Sequence, residues 1–307
     1  LAESGKRAKG ARGSAAERSE DAAGRLAVRK TYKLYLGGAF PRSESGRSYP
    51  VTSAKGDHLA NAAAASRKDA RDAVVAARAA FGGWSSRTGY NRGQILYRVA
   101  EMMEGRRAQF TAEIAAADGI SRTRAESMVS AAIDRWVYYA GWTDKFIQVI
   151  GATNPVSGPY FNSSSPEPTG VVAVIAPPEA PLLGLVSVLA PVIATGNTAV
   201  VVASERAPLP AVTLAEVLAT SDLPGGVVNI LTGRLHELAP HLAAHADVNA
   251  LDLTGAGELA AGLEEDAAQT LKRVLRPSGD IDWAADPGIS WMTPFLEVKT
   301  VWHPIGV

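Results

Sequence analysis

The sequence contains no cysteine. That absence removes disulfides, thiolate metal sites, iron–sulfur clusters and every cysteine nucleophile at once. It leaves the redox compartment open, because a chain without thiols tolerates either. An excess of charge of one sign is missing too: 31 Lys and Arg balance 31 Asp and Glu. No global field therefore favours nucleic acid or an anionic membrane. Aromatic residues make up 7% of the chain and do not alternate with basic ones as they do on single-strand binding surfaces. No apolar run reaches the roughly 18 residues that span a bilayer, and Leu1 to Arg29 lack the apolar core of a secretory signal. These absences lead to the expectation of a cytoplasmic protein with neither nucleic acid nor membrane as a partner.

What is present is an ordinary globular composition, 47% hydrophobic over 307 residues, enough for a substantial core. Residues 1–31 mix Ala, Gly, Ser and charge with little to bury, which predicts a mobile tail. Its Lys6, Arg7, Lys9 and Arg12 read better as a solvated face than as phosphate contacts. Order is expected from Tyr32, where YKLYLGGAF alternates like a strand and closes on Gly37-Gly38. Helical spacing follows over Asp69–Phe81, over Asn91–Asp118 as one or two helices, and over Arg122–Ile147 with an aromatic cluster at Trp136, Tyr138, Tyr139 and Trp142. Residues 151–168 are rich in Gly, Pro, Ser and Asn and read as a loop or an exposed ribbon.

From Gly170 the pattern changes. GVVAVIA, TAVVVA, Val227–Leu231 and Ala250–Leu253 are short apolar runs, the first two rich in β-branched residues. They are separated by helical segments at Leu182–Ala194, Leu209–Thr220 and His236–His245. Strands that read as continuous apolar runs are buried on both faces, and strand–helix alternation of this kind predicts an α/β fold with a doubly wound, Rossmann-like parallel sheet. Ligands of such sheets bind at the carboxyl ends of the strands. That directs attention to Ala176–Pro181, Ser204–Arg206, Gly233–Leu235 and Thr254–Glu258.

Those strand-end segments resemble the aldehyde dehydrogenase superfamily, in its order and spacing. Pro177-Pro178-Glu179-Ala180-Pro181 stands for its Pro-Trp-Asn-x-Pro turn, APVIATGNT for its helix and Gly-Asn-Thr turn, and Val202-Ala203-Ser204-Glu205 for Lys-Pro-Ala/Ser-Glu. PGGVVNILTG is nearly unaltered, and Thr254-Gly255-Ala256-Gly257-Glu258 stands for the Thr-Gly-Ser-x-Glu phosphate loop. YLGGAF, ARAAFGGW and YYAGWTDK agree upstream, so the resemblance runs from Tyr32 to Val274.

The resemblance implies a cysteine nucleophile, an oxyanion hole using the Asn of the turn, a glutamate base, and NAD or NADP as hydride acceptor. None of the three protein groups is matched. The thiol is absent, Glu179 replaces the Asn with a charge that repels an oxyanion, and Pro277 falls where the base belongs. No catalytic residue is therefore assigned. The implied cofactor contacts are Glu205, Gly233, Thr254 and Gly255, a degenerate site. Glu205, the ribose ligand, is kept, while Val202 replaces Lys, Ala256 replaces the loop Ser, and Leu235 replaces a Gly near the adenine. Binding of NAD or NADP is weakened on this reading, and Glu205 reads equally as a surface or helix-capping carboxylate.

His236, His241 and His245 lie close together in sequence but lack a His-Glu-x-x-His pattern, so no metal is expected. Residues 32–276 are read as the cofactor-binding-type domain, with 151–167 as an oligomerisation ribbon. Residues 277–294 form a short linker where a family member would carry its catalytic domain, and 295–307 hold an association strand, FLEVKTVW, similar to the family's C-terminal strand. The chain then reads as a catalytically inactive family member. It would act as a structural or regulatory subunit of a homo-oligomer, or of a hetero-oligomer with a full-length aldehyde dehydrogenase. The alternatives are a nucleotide-sensing module, and oxidoreductase activity only when a partner completes the site.

Overall fold

The computed structural model describes residues 30–306. The expected tail at 1–31 lies outside these, except for its last two residues. A small sheet comes first, built from β1 (Thr31–Tyr32), β2 (Ser48–Thr52) and β3 (His58–Ala63) in the order β1-β3-β2. The strand expected over 32–40 is cut short. After Tyr32 the chain makes a bridge in which Tyr35 and Ile230 exchange main-chain bonds of 3.0 and 2.7 Å. It then turns at Gly37-Gly38, both at positive φ. Gly38 faces Gly225 so closely that a Cβ would lie 2.9 Å from its Cα, and glycine is needed on both counts.

Four helices and a short fifth follow: α1 (Arg67–Ser85), α2 (Gly89–Glu104), α3 (Arg107–Asp118), α4 (Arg122–Trp142) and α5 (Phe146–Ile150). Helix α1 begins in a capping box, with the Asp69 amide donating to Ser66 Oγ at 3.3 Å and the Ser66 amide to Asp69 Oδ2 at 2.8 Å. Its buried face is Ala70, Ala73, Val74 and Ala77, small enough for the helix to lie close on a sheet.

That sheet contains β6 (Val171–Ile175), β7 (Thr198–Val202), β8 (Val228–Leu231), β9 (Ala250–Asp252) and β10 (Arg273–Leu275), all parallel, in the order β10-β9-β6-β7-β8. It is connected by α6 (Leu183–Ala194), α7 (Leu209–Leu218), α8 (Leu235–Ala243) and α9 (Ala260–Ala268). Val172, Val174, Ala199 and Val201 join α4, α6 and α7 in one core. Val171, Ala173, Val200 and Val202 join α1, α8 and α9 in the other. The sheet is thus doubly wound, as expected. It grows from β6 through β7 to β8 on one side and through β9 to β10 on the other, which places the reversal of strand order between β6 and β9.

The ribbon at 151–168 is β4 (Ala152–Asn154) paired antiparallel with β5 (Tyr160–Pro168). The last strand, β11 (Leu296–Pro304), pairs antiparallel with β5 over nine residues, from Leu296 opposite Pro168 to Pro304 opposite Tyr160. Between β10 and β11 the segment 277–294 lies on the core as a strap. Met292 is fully buried, and Trp283, Ile289 and Trp291 are partly buried against the core shared by α4 and α6. Arg135 of α4 donates to the Trp283 and Ala285 carbonyls at 2.5 and 3.2 Å, and Tyr139 to the Gly288 carbonyl at 3.3 Å. No helix among the described residues is long and apolar enough to cross a membrane.

Candidate functional site

The carboxyl ends of β6 and β7 meet the loops after β8 and β9 at a cavity of about 400 Å³. Ile175, Ala176 and Val202 give it apolar walls, and Tyr49 of β2 closes one side. Its charged groups are Glu205, Arg206 and Arg234. The cavity lies beside the reversal of strand order, where open α/β sheets bind ligands.

Glu205 does not stand free. Its carboxylate accepts from the Arg234 guanidinium and, at 3.2 Å, from the Leu235 amide. The guanidinium in turn lies 5.5 Å over the Tyr49 ring, within cation–π range. Burial, followed by the nearby Glu205 charge, holds the pKa of the Tyr49 hydroxyl far above the ordinary phenol value. Arg206 faces outward to other partners: the Ala117 carbonyl at 2.9 Å, the Asp118 carboxylate at 2.6 Å and the Pro178 carbonyl at 3.2 Å.

The loop after β9 is equally self-contained. The Thr254 amide and hydroxyl both donate to Asp252 Oδ1, at 3.0 and 2.5 Å. The Gly255 amide donates to the Ile175 carbonyl at 3.0 Å and the Ala256 amide to the Leu253 carbonyl at 2.9 Å. Asp252 is fully buried and its Oδ2 has no partner. Desolvation raises its pKa to about 6, against the opposing pull of the two Thr254 bonds.

Of the four residues assigned from sequence, Glu205 and Gly255 line the cavity. Gly233 is placed by packing, since at φ 149° a Cβ would lie 3.1 Å from the Ala65 nitrogen. Thr254 is turned to Asp252. Glu179 is exposed and lies 3.4 Å from the Trp283 indole nitrogen, which donates to it, so it faces the strap. Sequence reading missed Arg234 and Tyr49. The substitution beside Leu235 was a visible signal for Arg234, but its pairing with a residue 29 positions earlier was not. No group of three or more His, Cys, Asp or Glu among the described residues is placed to hold a metal. His245 instead accepts the Asp247 amide at 3.1 Å.

A profile of the "Aldehyde dehydrogenase family" matches residues 40–279. The chain belongs to the aldehyde dehydrogenase family. Among curated relatives, the "Putative aldehyde dehydrogenase DhaS" of Bacillus subtilis is 35% identical over 255 residues, covering 81% of this chain and 50% of that protein. Human "Retinal dehydrogenase 2" is 33% identical over 256 residues, covering 81% and 49%. Among solved structures, HpcC from Thermus thermophilus superposes with a TM-score of 0.76 at 30% identity, covering 80% of this chain and 47% of that one. The NAD+ complex of an aldehyde dehydrogenase from Bacillus cereus gives 0.74 at 30% identity, covering 80% and 50%. The chain therefore spans about half the length of the family members it matches.

A dinucleotide needs an acceptor for its ribose hydroxyls and donors for its pyrophosphate. In this family member the Glu205 acceptor and the amides of residues 254–256 are already engaged within the chain.

Proposed function

We propose that this protein is a non-catalytic aldehyde dehydrogenase family member that works by association. It is a structural or regulatory subunit of a homo-oligomer or of a hetero-oligomer with a full-length aldehyde dehydrogenase. The observation that carries this reading is the sheet β11-β5-β4, which leaves large apolar side chains exposed. Directly opposed residues of an antiparallel pair share a face, so Val298 and Trp302 of β11 and Tyr160 of β5 lie on the same side. They are 66%, 56% and 42% exposed. On the opposite face Lys299 pairs with Glu167 at 3.2 Å. Phe161, on that opposite face, is 47% exposed as well, and exposed apolar groups beside an unpaired strand edge fit the addition of another subunit.

The chemistry points the same way. Nothing in the sequence supplies a thiolate, Glu179 faces the strap, and Pro277 offers no proton acceptor. Substituting Val298→Lys together with Trp302→Glu is expected to dissociate the oligomer in light scattering while leaving the circular dichroism of the parallel sheet unchanged. A wild-type protein that is strictly monomeric, alone and mixed with a full-length family member, would contradict the reading.

A further inference from the structure

Two polar networks flank the cavity at the ends of β6 and β7, and each holds inside the chain what a nucleotide would have to claim. We infer that this cavity is closed to dinucleotides from within: Arg234 occupies the carboxylate that a ribose diol needs, and Asp252 with two main-chain carbonyls occupies the donors that a pyrophosphate needs.

At the ribose end, Glu205 holds a guanidinium and an amide. A ribose diol would have to displace the guanidinium, a charged donor, with a neutral one, on a carboxylate whose other oxygen the Leu235 amide already holds. The guanidinium would also leave the Tyr49 ring. At the phosphate end, both Thr254 donors point to Asp252 Oδ1, the Gly255 amide to Ile175 and the Ala256 amide to Leu253. The loop is not free to turn outward, because Gly255 sits so tightly on the Ala176 carbonyl that a Cβ would collide with it. An arriving pyrophosphate would also bring negative charge towards the Asp252 carboxyl.

The closure does not come from lack of room. About 400 Å³ remains, within the range of small-molecule sites. Arg234 is therefore the residue that decides admission at the ribose end. This inference is independent of how the protein associates.

The test uses the full chain and titration calorimetry with two probes, adenosine, which is neutral and reads the ribose end alone, and NAD. Wild type is expected to bind neither at millimolar concentration. Arg234→Ala is expected to gain adenosine binding by about tenfold or more, and Arg234→Ala with Asp252→Ala to gain NAD. Sub-millimolar NAD binding by wild type would overturn the inference, as would an Arg234→Ala protein that melts like wild type yet gains no adenosine affinity. If that variant does not fold, Arg234→Gln, which keeps most of the side chain and removes its charge, is titrated with adenosine in its place, and a folded Arg234→Gln protein with no gain in adenosine affinity counts against Arg234.

Discussion

Asp252 has one oxygen bonded twice by Thr254 and the other facing no donor, at a position with no exposure to solvent. Its carboxyl holds a proton more tightly when folded than when unfolded, with a pKa of about 6 against an ordinary value of 3.8. Between those values the folded state binds the extra proton, so stability falls as pH rises. The loss is absent below about pH 4, complete above about pH 6, and worth roughly 3 kcal/mol at 1.36 kcal/mol per unit. Asp252→Asn keeps an acceptor for Thr254 and removes the charge. The variant is expected to melt at a higher temperature than wild type at pH 7 and at the same temperature at pH 4. An equal difference at both pH values would show that the carboxyl is not the cause. Cofactor fit is also decided at this scale. Glu205 was legible as a family residue. Its capture by Arg234 was not, because an ion pair between loops that follow different strands leaves no trace in spacing.

The strap at 277–294 is the element that the sequence describes least well. It has no periodicity, yet Trp283, Ile289, Trp291 and Met292 return to the core and Arg135 binds two of its carbonyls. Those bonds come from a buried guanidinium whose pKa burial lowers, and bonds of this type contribute about 1.5–3 kcal/mol each. Replacing Arg135 with Leu keeps the packing volume and removes the donors. Limited proteolysis should then cut within 277–294 while the parallel sheet survives; an unchanged cleavage pattern would mean that Arg135 does not hold the strap. Other elements divide by their signal. The β-branched runs of β6 and β7 are plain in the sequence, since strands buried on both faces must be apolar throughout. β3 is not, because HLANAA carries no β-branched or aromatic residue to mark it as a strand. The strand expected over 32–40 ends at Tyr32; beyond it only the bridge of Tyr35 to Ile230 remains before the turn at Gly37-Gly38.

At the scale of the molecule, the doubly wound sheet and its two helical layers follow from the alternation of apolar runs, and family membership follows from the order of the strand-end segments. The candidate site was half legible: the cavity lies where the strand ends predicted, but the bonds that close it join residues remote in sequence. The purified protein is expected to show no aldehyde-dependent reduction of NAD or NADP, and thiol-alkylating reagents should leave its properties unchanged because it holds no cysteine. Turnover by the isolated chain would refute the non-catalytic assignment. The most direct test of the central claim is recovery of the tagged protein from its native cells, sized by light scattering and read by mass spectrometry. The account predicts a defined oligomer, of this chain alone or in fixed stoichiometry with a cysteine-bearing aldehyde dehydrogenase, that dissociates when Val298 and Trp302 are replaced. Recovery of a monomer with no partner would contradict it.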